Sequence, residues 1–400
     1  MGGRTAERAS AFLTSRLLCG FSVLFLPAAF ALGQKTGQPS QSTSKSPAAE
    51  ASAAFNALLS KATAAREADH TDEAIRLYQQ VVRAKPDDPE GWWYLGTLYY
   101  ESDQYSDGRI AFRHVTGLKP GVSLGWAMLG LCEFETRDYD SALEHLERAD
   151  ALGIPHQESY YDVARYHLAL LLTRAGRFDA ATVVLADFAA HGDENPKFTE
   201  AMGLAGLHKP LLPSELRPDE REMVLDVGKA LCDDAAKRAT DIAKDRLELL
   251  RKYPDTPEIH FVAGILALAS DSDQALEDWK SELKISPDHP RALVSIAAEY
   301  RRRSEFKEAL PYAEKAVAAS PGEFVTHAVL GEVLAEGDLD VPRAIHELQI
   351  AVRLNPSQPQ VHFALGAAYA KAGRKEEAAK ERAQFLRLRD PSEAGVAKPQ

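Results

Sequence analysis

The sequence lacks the residue arrangements by which catalytic sites are usually recognised. It contains no Gly-rich phosphate loop and no His-Glu-x-x-His helix to hold zinc. Adjacent carboxylates such as Asp87 and Asp88, or Asp233 and Asp234, have the composition of an acid–base pair. They stand beside a proline or in a weak helical pattern, so solvated surface positions explain them better. We therefore predict a protein that is not an enzyme.

The twelve histidines do not have the spacing of a helical metal site either. No two of them lie three or four residues apart, the separations that bring two ligands to one face of a helix. Neither a metal nor any other cofactor is predicted.

The composition is that of a folded, acidic chain. Its 400 residues exceed one ordinary domain, and 45% of them are hydrophobic and 26% charged, a globular rather than a disordered balance. The formal net charge is -12. A protein that binds nucleic acid needs a basic face to neutralise phosphates, so no nucleic-acid partner is predicted.

Residues 1–33 have the layout of a secretory signal peptide. Three arginines lead into an apolar run from Leu17 to Leu32, and small residues make Ala31 and Gly33 the two candidate cleavage points. The run has 16 residues, whereas a membrane span needs about 20, so an uncleaved signal anchor is the less favoured alternative. We predict an exported protein, periplasmic or secreted, with no membrane span once the signal is removed.

The chain left after cleavage is still more acidic and poor in cysteine. The signal carries three arginines and one glutamate, a net charge of +2, so its removal changes the formal charge from -12 to -14. Two cysteines remain, too few for the disulfide framework of small secreted folds. Residues 34–54 are rich in Gln, Ser, Thr, Pro and Lys and predict a flexible polar linker.

Prolines recur at a nearly constant spacing beyond the linker. The gaps between them are 34, 35, 99, 33, 34, 35 and 35 residues. Each proline follows an apolar helical pattern that it cannot continue, so each closes a unit made of two helices. These prolines are Pro86, Pro120, Pro155, Pro254, Pro287, Pro321, Pro356 and Pro391.

The unit that begins at Pro89 shows the pattern most clearly. It resembles the tetratricopeptide repeat, whose positions 4, 7, 8, 11, 20, 24, 27 and 32 hold W, L, G, Y, A, F or Y, A and P. Small residues at positions 8 and 20 let the two helices approach closely. The unit departs mildly, with glycine at position 20 and valine at position 27. The residues that carry the resemblance are Trp92, Leu95, Gly96, Tyr99, Gly108, Phe112, Val115 and Pro120.

The same frame recurs nine times between residues 55 and 390. Residues 55–196 form block one, with about four repeats, and residues 223–390 form block two, with about five, whose last helix acts as a cap. Stacked helix pairs share a continuous core, so nine units are ample for stability. The resemblance implies an all-α fold, an α-solenoid wound as a right-handed superhelix. Residues 391–400 are a polar tail.

Two places depart from the repeat. Residues 197–222 are predicted to be an irregular insert, because three prolines interrupt them. The insert either hinges the two blocks or covers an exposed helix face, and its leucines favour the covering role. The next unit, from Met223, is degenerate, because Asp226 and Asp233 stand where the family pattern has aromatic side chains.

The frame also gives a role to residues that might otherwise suggest chemistry. His260, His327 and His362 fall at or next to position 4 of separate units, so we interpret them as side chains packed at the helix-pair surface. Cys132 and Cys232 fall in repeats with another layer between them. Packed helices lie about 8 to 10 Å apart, which exceeds the reach of a disulfide, so both are predicted to be buried free thiols.

The resemblance further implies a binding surface. In the family, first helices line a concave groove, and their positions 2, 5, 9 and 12 point into it. Aromatic and apolar residues dominate these positions in units two to four, and such clusters mark binding surfaces. The alternative is that the superhelix or the insert buries them. The predicted partner-binding residues of this block are Trp93, Thr97, Tyr100, Leu131, Phe134 and Tyr166.

Unit seven adds a basic patch to the predicted partner-binding set. Arg291 lies at position 2, and Arg301 opens a run of three arginines at the end of the first helix. An anionic ligand could dock there. The favoured alternative is a solvated helix end, since positive charge is stabilised at a helix carboxyl terminus.

These features predict a non-catalytic interaction scaffold or adaptor of the cell envelope or secreted space, which binds a peptide or helix of a partner protein in the groove. One alternative is a self-assembling structural component, or an assembly factor, of an envelope complex; the oligomeric state is left open. A distant alternative, a glycan-related enzyme, rests only on the compartment. Leu59 and Thr63 occupy the places where some relatives use Lys and Asn to grip chaperone carboxyl termini, so that ligand class is not expected.

Overall fold

A computed structural model describes residues 47–158, 160–192 and 195–389, and these are helical apart from turns. The all-α fold class is confirmed. The predicted signal peptide 1–33 and tail 391–400 lie outside the described residues. The helices are α1 (Pro47–Glu67), α2 (Thr71–Ala84), α3 (Pro89–Glu101), α4 (Tyr105–Leu118), α5 (Ser123–Glu135), α6 (Tyr139–Leu152), α7 (Tyr161–Arg174), α8 (Phe178–Ala190), α9 (Pro196–Gly206), α10 (Arg221–Ala235), α11 (Ala239–Lys252), α12 (Ile259–Leu268), α13 (Ser272–Ile285), α14 (Pro290–Arg302), α15 (Phe306–Ala319), α16 (Phe324–Glu336), α17 (Val341–Leu354), α18 (Pro359–Lys371) and α19 (Lys375–Arg389).

Consecutive helices pack as pairs, and each pair packs against the next. In block one α3 packs on α4, α5 on α6 and α7 on α8, while α4 contacts α5 and α6 contacts α7. The same alternation runs from α12 to α19. This array belongs to the unit that begins at Ala54; of the preceding unit, only the start of α1 is described. The stacking of helix pairs is the predicted α-solenoid.

Helix α1 corrects the prediction of a flexible linker over residues 34–54. It begins at Pro47, so the last residues of that segment are helical. Alanine has the highest helix propensity, and the first turns of α1 are rich in it. The polar composition that predicted a flexible tether applies to residues 34–46, which lie outside the described residues.

The turn inside most helix pairs uses one residue in the left-handed region, although the turn between α12 and α13 does not. Asp103 has a φ of 58° and Arg137 a φ of 61°. The next backbone amide then closes the turn: Gln104 N–H donates to the Tyr99 carbonyl oxygen at 2.8 Å. A hydrogen bond of this kind satisfies a carbonyl that the helix end leaves free.

In five repeats a hydrogen bond from position 4 ties the repeat to the proline that closes the previous one. The indole N–H of Trp92 donates to the Pro86 carbonyl oxygen at 2.8 Å, and Trp126 does the same to Pro120 at 2.9 Å. In block two histidine replaces tryptophan. The Nε2 atoms of His260, His327 and His362 lie 2.8, 3.0 and 3.0 Å from the carbonyl oxygens of Pro254, Pro321 and Pro356. The predicted packing role of the three histidines is confirmed.

The segment predicted as an irregular insert contains a helix, α9. One face of α9 buries Phe198 and Met202 against the core of block one, and Phe198 stacks on Phe188 of α8 at 4.2 Å. The other face buries Leu204 and Leu207 against α10. The sequence reading missed this helix because its apolar residues cover two faces rather than one stripe. Burial on both faces supports the covering role over the hinge.

Helices α9 and α10 cross at a distance that excludes any side chain from the contact. A Cβ atom on Gly203 would lie 1.9 Å from the Val224 carbonyl oxygen, and one on Gly228 would lie 1.9 Å from that of Thr199. Hydrogen is the only substituent that fits such a gap. The glycines therefore allow α9 to enter the array.

Ion pairs replace aromatic packing in the degenerate unit of α10 and α11. Lys229 Nζ lies 2.9 Å from Asp233 and 2.6 Å from Asp245, and both aspartates are buried. Asp226 accepts hydrogen bonds from Lys252 at 2.8 Å and from the Tyr253 hydroxyl at 2.9 Å. The two aspartates that break the family pattern thus join α10 to α11 through charge.

Both remaining cysteines are free and buried, as predicted. Burial raises the pKa of the Cys132 thiol to about 12 and that of Cys232 to about 11. A thiol that stays protonated at neutral pH is a poor nucleophile, so both residues act as apolar packing groups.

The close contact of α9 and α10 at Gly203 and Gly228 can be tested by substitution. We expect Gly203→Ala to lower the free energy of unfolding by about 3 kcal/mol, because the added methyl group must push two backbones apart. Gly117→Ala is the control: it adds a methyl near the end of α4 with nothing within 4 Å, and should change stability by less than about 1 kcal/mol. Urea unfolding followed by circular dichroism measures both. An unchanged midpoint for Gly203→Ala would show that the helices do not cross this closely.

Candidate protein-interaction surface

Helices α3, α5 and α7 carry the predicted groove residues of block one. Trp93, Thr97, Tyr100, Phe134 and Tyr166 are all half-buried, each leaving part of its side chain accessible. We call the side of α3, α5 and α7 that carries these residues the first-helix face. Its side chains come from three consecutive repeats, as the repeat frame predicts.

Leu131 is a correction to the predicted set. Its side chain is only 1% exposed and belongs to the continuous apolar core of block one. Helix α5 packs against α4, α6 and α7, so most of its residues are buried, including some that the family frame would place in the groove. Leu131 therefore stabilises the stack and is not available to a partner.

Ring contacts hold the aromatic side chains of this face in place. Trp93 packs edge-on against Phe112 at 5.6 Å, and Phe134 packs against His167 at 4.5 Å. Tyr166 packs against Phe198 of α9 at 5.5 Å. Burial lowers the pKa of His167 to about 4, so this ring is neutral at pH 7. Rings already fixed lose little entropy on binding a partner.

A second group of residues, missed by the sequence analysis, extends the first-helix face. Tyr105 lies 5.4 Å from Tyr100 and Tyr160 lies 6.1 Å from it, both edge-on. Glu101 and Glu135, the last residues of α3 and α5, lie beside these rings. We call Tyr100, Tyr105, Tyr160, Glu101 and Glu135 the tyrosine–glutamate cluster.

The cluster is partly removed from water. Desolvation raises the pKa of the half-buried Glu135 carboxyl, and also that of the Glu101 carboxyl, whose residue is nevertheless exposed. Burial also raises the pKa of the Tyr100 phenol. The interaction with Tyr160 partly offsets the rise in the pKa of Glu101. Glu101 and Glu135 are 34 residues apart, so the repeat period could have predicted that they occupy equivalent places. No such pattern predicts the place of Tyr160, because it lies in the irregular loop before α7.

Helix α1 bounds a separate open depression of about 410 Å³. Leu59, Thr63 and Glu67 are among its lining residues. The first two occupy the places where some tetratricopeptide-type proteins carry a Lys and an Asn. The surface there offers a leucine, a hydroxyl group and a carboxylate, which do not suit a carboxylate ligand.

The predicted arginine patch is already occupied by carboxylates of the chain itself. Arg291 pairs with Glu258, and its guanidinium lies 4.2 Å from the centre of the Phe261 ring. Arg301 donates to Glu336 at 2.7 Å and lies 3.2 Å from Glu332. Neither arginine is offered to an anionic ligand. The favoured alternative, a solvated helix end, does not describe the patch either, because Arg291 lies at the amino end of α14 and both arginines pair with carboxylates of the chain.

Glu299 neutralises the rest of the arginine run. Its buried carboxylate accepts hydrogen bonds from Arg302 and Arg303, each at 2.7 Å. The bond from Arg302 is the main reason that the pKa of Glu299 falls to about 2. The two arginines therefore anchor the carboxyl end of α14 rather than a ligand.

The described part of the chain shows neither a metal-binding group of side chains nor a membrane-spanning helix. Within residues 47–158, 160–192 and 195–389, no group of three or more His, Cys, Asp or Glu side chains is arranged to hold a metal ion. Across the same residues no helix is both long and apolar enough to cross a membrane.

Comparison with known families places repeats of one type at both ends of the array. The model of the tetratricopeptide repeat matches residues 59–123 and 334–392. The first match covers α2, α3 and α4 with the end of α1, and the second covers α17, α18 and α19. No curated protein sequence matches the chain.

Solved structures of MamA proteins are similar to part of the chain. MamA of Desulfovibrio magneticus RS-1, from residue 41 to its end, is 24% identical with a TM-score of 0.38, covering 42% of this chain and 95% of that one. MamA of AMB-1 is 21% identical with a TM-score of 0.37, covering 42% and 99%. A further MamA structure is 17% identical with a TM-score of 0.28, covering 67% and 92%.

The Glu299 network makes a pH-dependent prediction. The folded pKa of about 2 lies below the value near 4.3 of an unfolded glutamate, so this carboxylate stabilises the fold above about pH 4.3 and loses that effect as the pH falls through 2. We expect Glu299→Gln to lower the free energy of unfolding by about 2 kcal/mol at pH 7. The difference in unfolding free energy between the variant and wild type should shrink as the pH is lowered from about 4.3.

Urea midpoints measured across this pH range test the prediction, with the surface change Glu308→Gln as the control. A difference between Glu299→Gln and wild type that stays constant down to the lowest pH would contradict it.

Proposed function

The chain is a tetratricopeptide-repeat protein, and we propose that it is an interaction scaffold whose first-helix face holds a peptide or helix of a partner protein. The observation that carries the proposal is the row of half-buried aromatic side chains Trp93, Tyr100, Phe134 and Tyr166, which pack on the core and stay partly accessible. Large rings at a protein surface supply much of the binding energy of protein interfaces, because each buries a wide apolar area on contact.

The contacts of these rings suit a binding role. Trp93 packs against Phe112, and Tyr166 packs against Phe198. Each ring is therefore held by a neighbouring ring and is still partly exposed to solvent. A surface that is fixed before the partner arrives avoids part of the entropy cost of association. The predicted partner-binding residues of block two are less available to a partner, because Arg291 and Arg301 pair with glutamates of the chain.

Self-association is the second candidate, and a feature at the other end of the array favours it. Phe363 of α18 and Leu386 of α19 are each 56% exposed, and the Phe363 ring packs against Phe385 at 5.3 Å. Helix α19 has no buried residue, so the last pair presents a face that another copy could cover. Light scattering of the purified protein separates this function from binding of a different partner.

The compartment is part of the proposal. The arginine-led apolar run of residues 1–33 supports an exported scaffold, periplasmic or secreted, that works on partners of the cell envelope or beyond it. An exported protein with two free buried thiols depends on packing rather than on disulfides for its stability.

Partner capture tests the scaffold function. We expect the triple change Trp93→Ala, Tyr100→Ala and Phe134→Ala to reduce crosslinked capture at least tenfold, since each ring is worth about 1 to 2 kcal/mol or more in an interface. Val183→Ala, which shortens an exposed apolar side chain of α8 outside the first-helix face, is the control and should leave capture unchanged. Circular dichroism confirms that each variant folds. Undiminished capture by a folded triple variant would reject the proposal.

The amino terminus of the exported protein tests the compartment. Intact-mass measurement of protein recovered outside the cytoplasm should give a chain that begins at Leu32 or Gln34, because the small residues Ala31 and Gly33 precede these positions. A mass that includes Met1 in a membrane fraction would instead identify an uncleaved anchor.

A further inference from the structure

The position-4 histidine of the last repeat contacts two hydrogen-bond acceptors at once. The Nε2 atom of His362 lies 3.0 Å from the carbonyl oxygen of Pro356, which closes the preceding repeat. Its Nδ1 atom lies 2.6 Å from a carboxylate oxygen of Glu381 on α19. The histidine is buried, and the Glu381 side chain is 17% exposed. One ring therefore lies between the previous repeat and the second helix of its own repeat.

The number of protons on this ring decides how many of the two contacts are hydrogen bonds. A neutral imidazole has one N–H group and donates to one acceptor, whereas an imidazolium has two N–H groups and donates to both. A carbonyl oxygen and a charged carboxylate can only accept. The neutral ring of His362 therefore leaves one of its two contacts without a hydrogen, and the protonated ring satisfies both.

The preceding repeat has the same arrangement. The Nε2 atom of His327 lies 3.0 Å from the Pro321 carbonyl oxygen, and its Nδ1 atom lies 2.6 Å from a carboxylate oxygen of Glu347 on α17. His327 and Glu347 are both buried. The two histidines are 35 residues apart and hold equivalent places in consecutive repeats. The paired acceptors are therefore a feature of the last two repeats.

His260 shows the same position without the carboxylate. Its Nε2 atom lies 2.8 Å from the Pro254 carbonyl oxygen, and its Nδ1 atom is buried with no hydrogen-bond partner in the described part of the chain. A neutral ring satisfies this site, because its single N–H group donates to the carbonyl oxygen. A second proton on His260 would have no acceptor. The chain thus contains its own comparison for the carboxylate contact.

Helix α19 depends on the histidine contact more than α17 does. None of the residues Lys375–Arg389 is buried, whereas α17 buries four apolar residues together with Glu347. The ring of Phe385 packs against Phe363 of α18 at 5.3 Å, but Phe363 remains 56% exposed. Most of the stability of a helix in a protein comes from packing of an apolar face. A helix with so little buried surface is sensitive to the loss of one polar contact.

Glu347 and Glu381 are the charged groups in contact with the two histidines. Within the described residues of α14 to α19, the other charged side chains that are buried or half-buried have ion-pair partners of their own. These pairs are Arg291 with Glu258, Glu299 with Arg302 and Arg303, Arg301 with Glu332, Arg343 with Glu314, and Arg374 with Glu377. The Tyr369 hydroxyl accepts a hydrogen bond from Gln349, and His346 and Arg382 are exposed.

We propose that the contact between His362 and Glu381 is a pH-dependent latch, which holds α19 on α18 when the histidine carries two protons and loosens it when the histidine carries one. Protonation completes a hydrogen bond between opposite charges, which is stronger than a neutral one. Loss of the proton leaves either the Glu381 carboxylate or the Pro356 carbonyl oxygen without its donor. The latch therefore weakens as the pH rises through the range in which a histidine loses its proton.

The latch acts at one end of the array. Phe363 and Leu386, the exposed apolar side chains of α18 and α19, belong to the helix pair that it holds together. The structure of this end thus depends on pH, whereas the first-helix face of block one lies several repeats away. The inference concerns regulation of the array and does not depend on which partner the first-helix face binds.

Hydrogen exchange of the purified chain, followed by mass spectrometry and corrected for the intrinsic effect of pH, tests the latch. The two conditions are about pH 5.5 and about pH 8, which bracket the ordinary titration range of histidine and lie above that of glutamate. We expect the protection of α19 to be about tenfold higher at the lower pH, because a hydrogen bond between charged groups is present only there. The change should be smaller in α17, which apolar packing also holds. Protection of α12 and α13 should not rise at the lower pH, since a second proton on His260 has no acceptor.

Glu381→Gln should remove the pH difference in α19, because an amide can donate to the neutral Nδ1 atom and needs no second proton on the ring. Glu376→Gln is the matched control: it changes an exposed glutamate at the start of the same helix and should keep the wild-type difference. Equal protection of α19 at the two pH values in wild type would overturn the latch. A pH difference that persists in Glu381→Gln would overturn it as well.

Discussion

The whole structure depends on one constraint: a pair of short helices cannot bury its apolar side by itself. Every pair must be covered by the next, so the chain is stable only as a stack, and each contact within the stack must be close. Within a pair the contact is tight: Phe112 of α4 is fully buried and packs against Trp93 and Gly96 of α3. In five repeats the hydrogen bonds from Trp92, Trp126 and the block-two histidines to the closing prolines fix the orientation of the pair against the previous one.

The same constraint explains the centre of the array, where the repeat pattern fails. Without α9 the apolar faces of α8 and α10 would lack a cover, and Phe198, Leu204 and Leu207 provide it. The extra helix fits because Gly203 and Gly228 remove side chains from the crossing. On its far side, α10 is held to α11 by buried ion pairs instead of rings. The array thus stays continuous while its local chemistry changes.

Ion pairs between neighbouring repeats are found in both blocks. In block two Arg301 pairs with Glu336, and in block one Arg109 pairs with Asp138. Position 12 of the first helix is not uniform: it holds Arg301 in block two, and Tyr100 and Phe134 in block one. One repeat frame therefore places either a paired arginine or a half-buried ring at the same position.

The sequence by itself determined the fold class, the helix pairs and the packing role of the position-4 histidines. These follow from spacing, because proline ends a helix and a constant period forces equivalent residues into equivalent places. The same reasoning located Trp93, Tyr100 and Phe134 at an accessible face. A regular pattern repeated nine times leaves few alternative folds.

Only the tertiary structure decided what surrounds each side chain. Leu131 has a groove position in the frame but is buried, since three helices enclose α5. Arg291 and Arg301, which suggested an anion site, are paired with glutamates more than thirty residues away along the chain. Tyr160 joins the first-helix face from an irregular loop, and α9 packs on its neighbours with two faces at once. Burial and ion pairing depend on contacts between distant segments, and local spacing does not encode them.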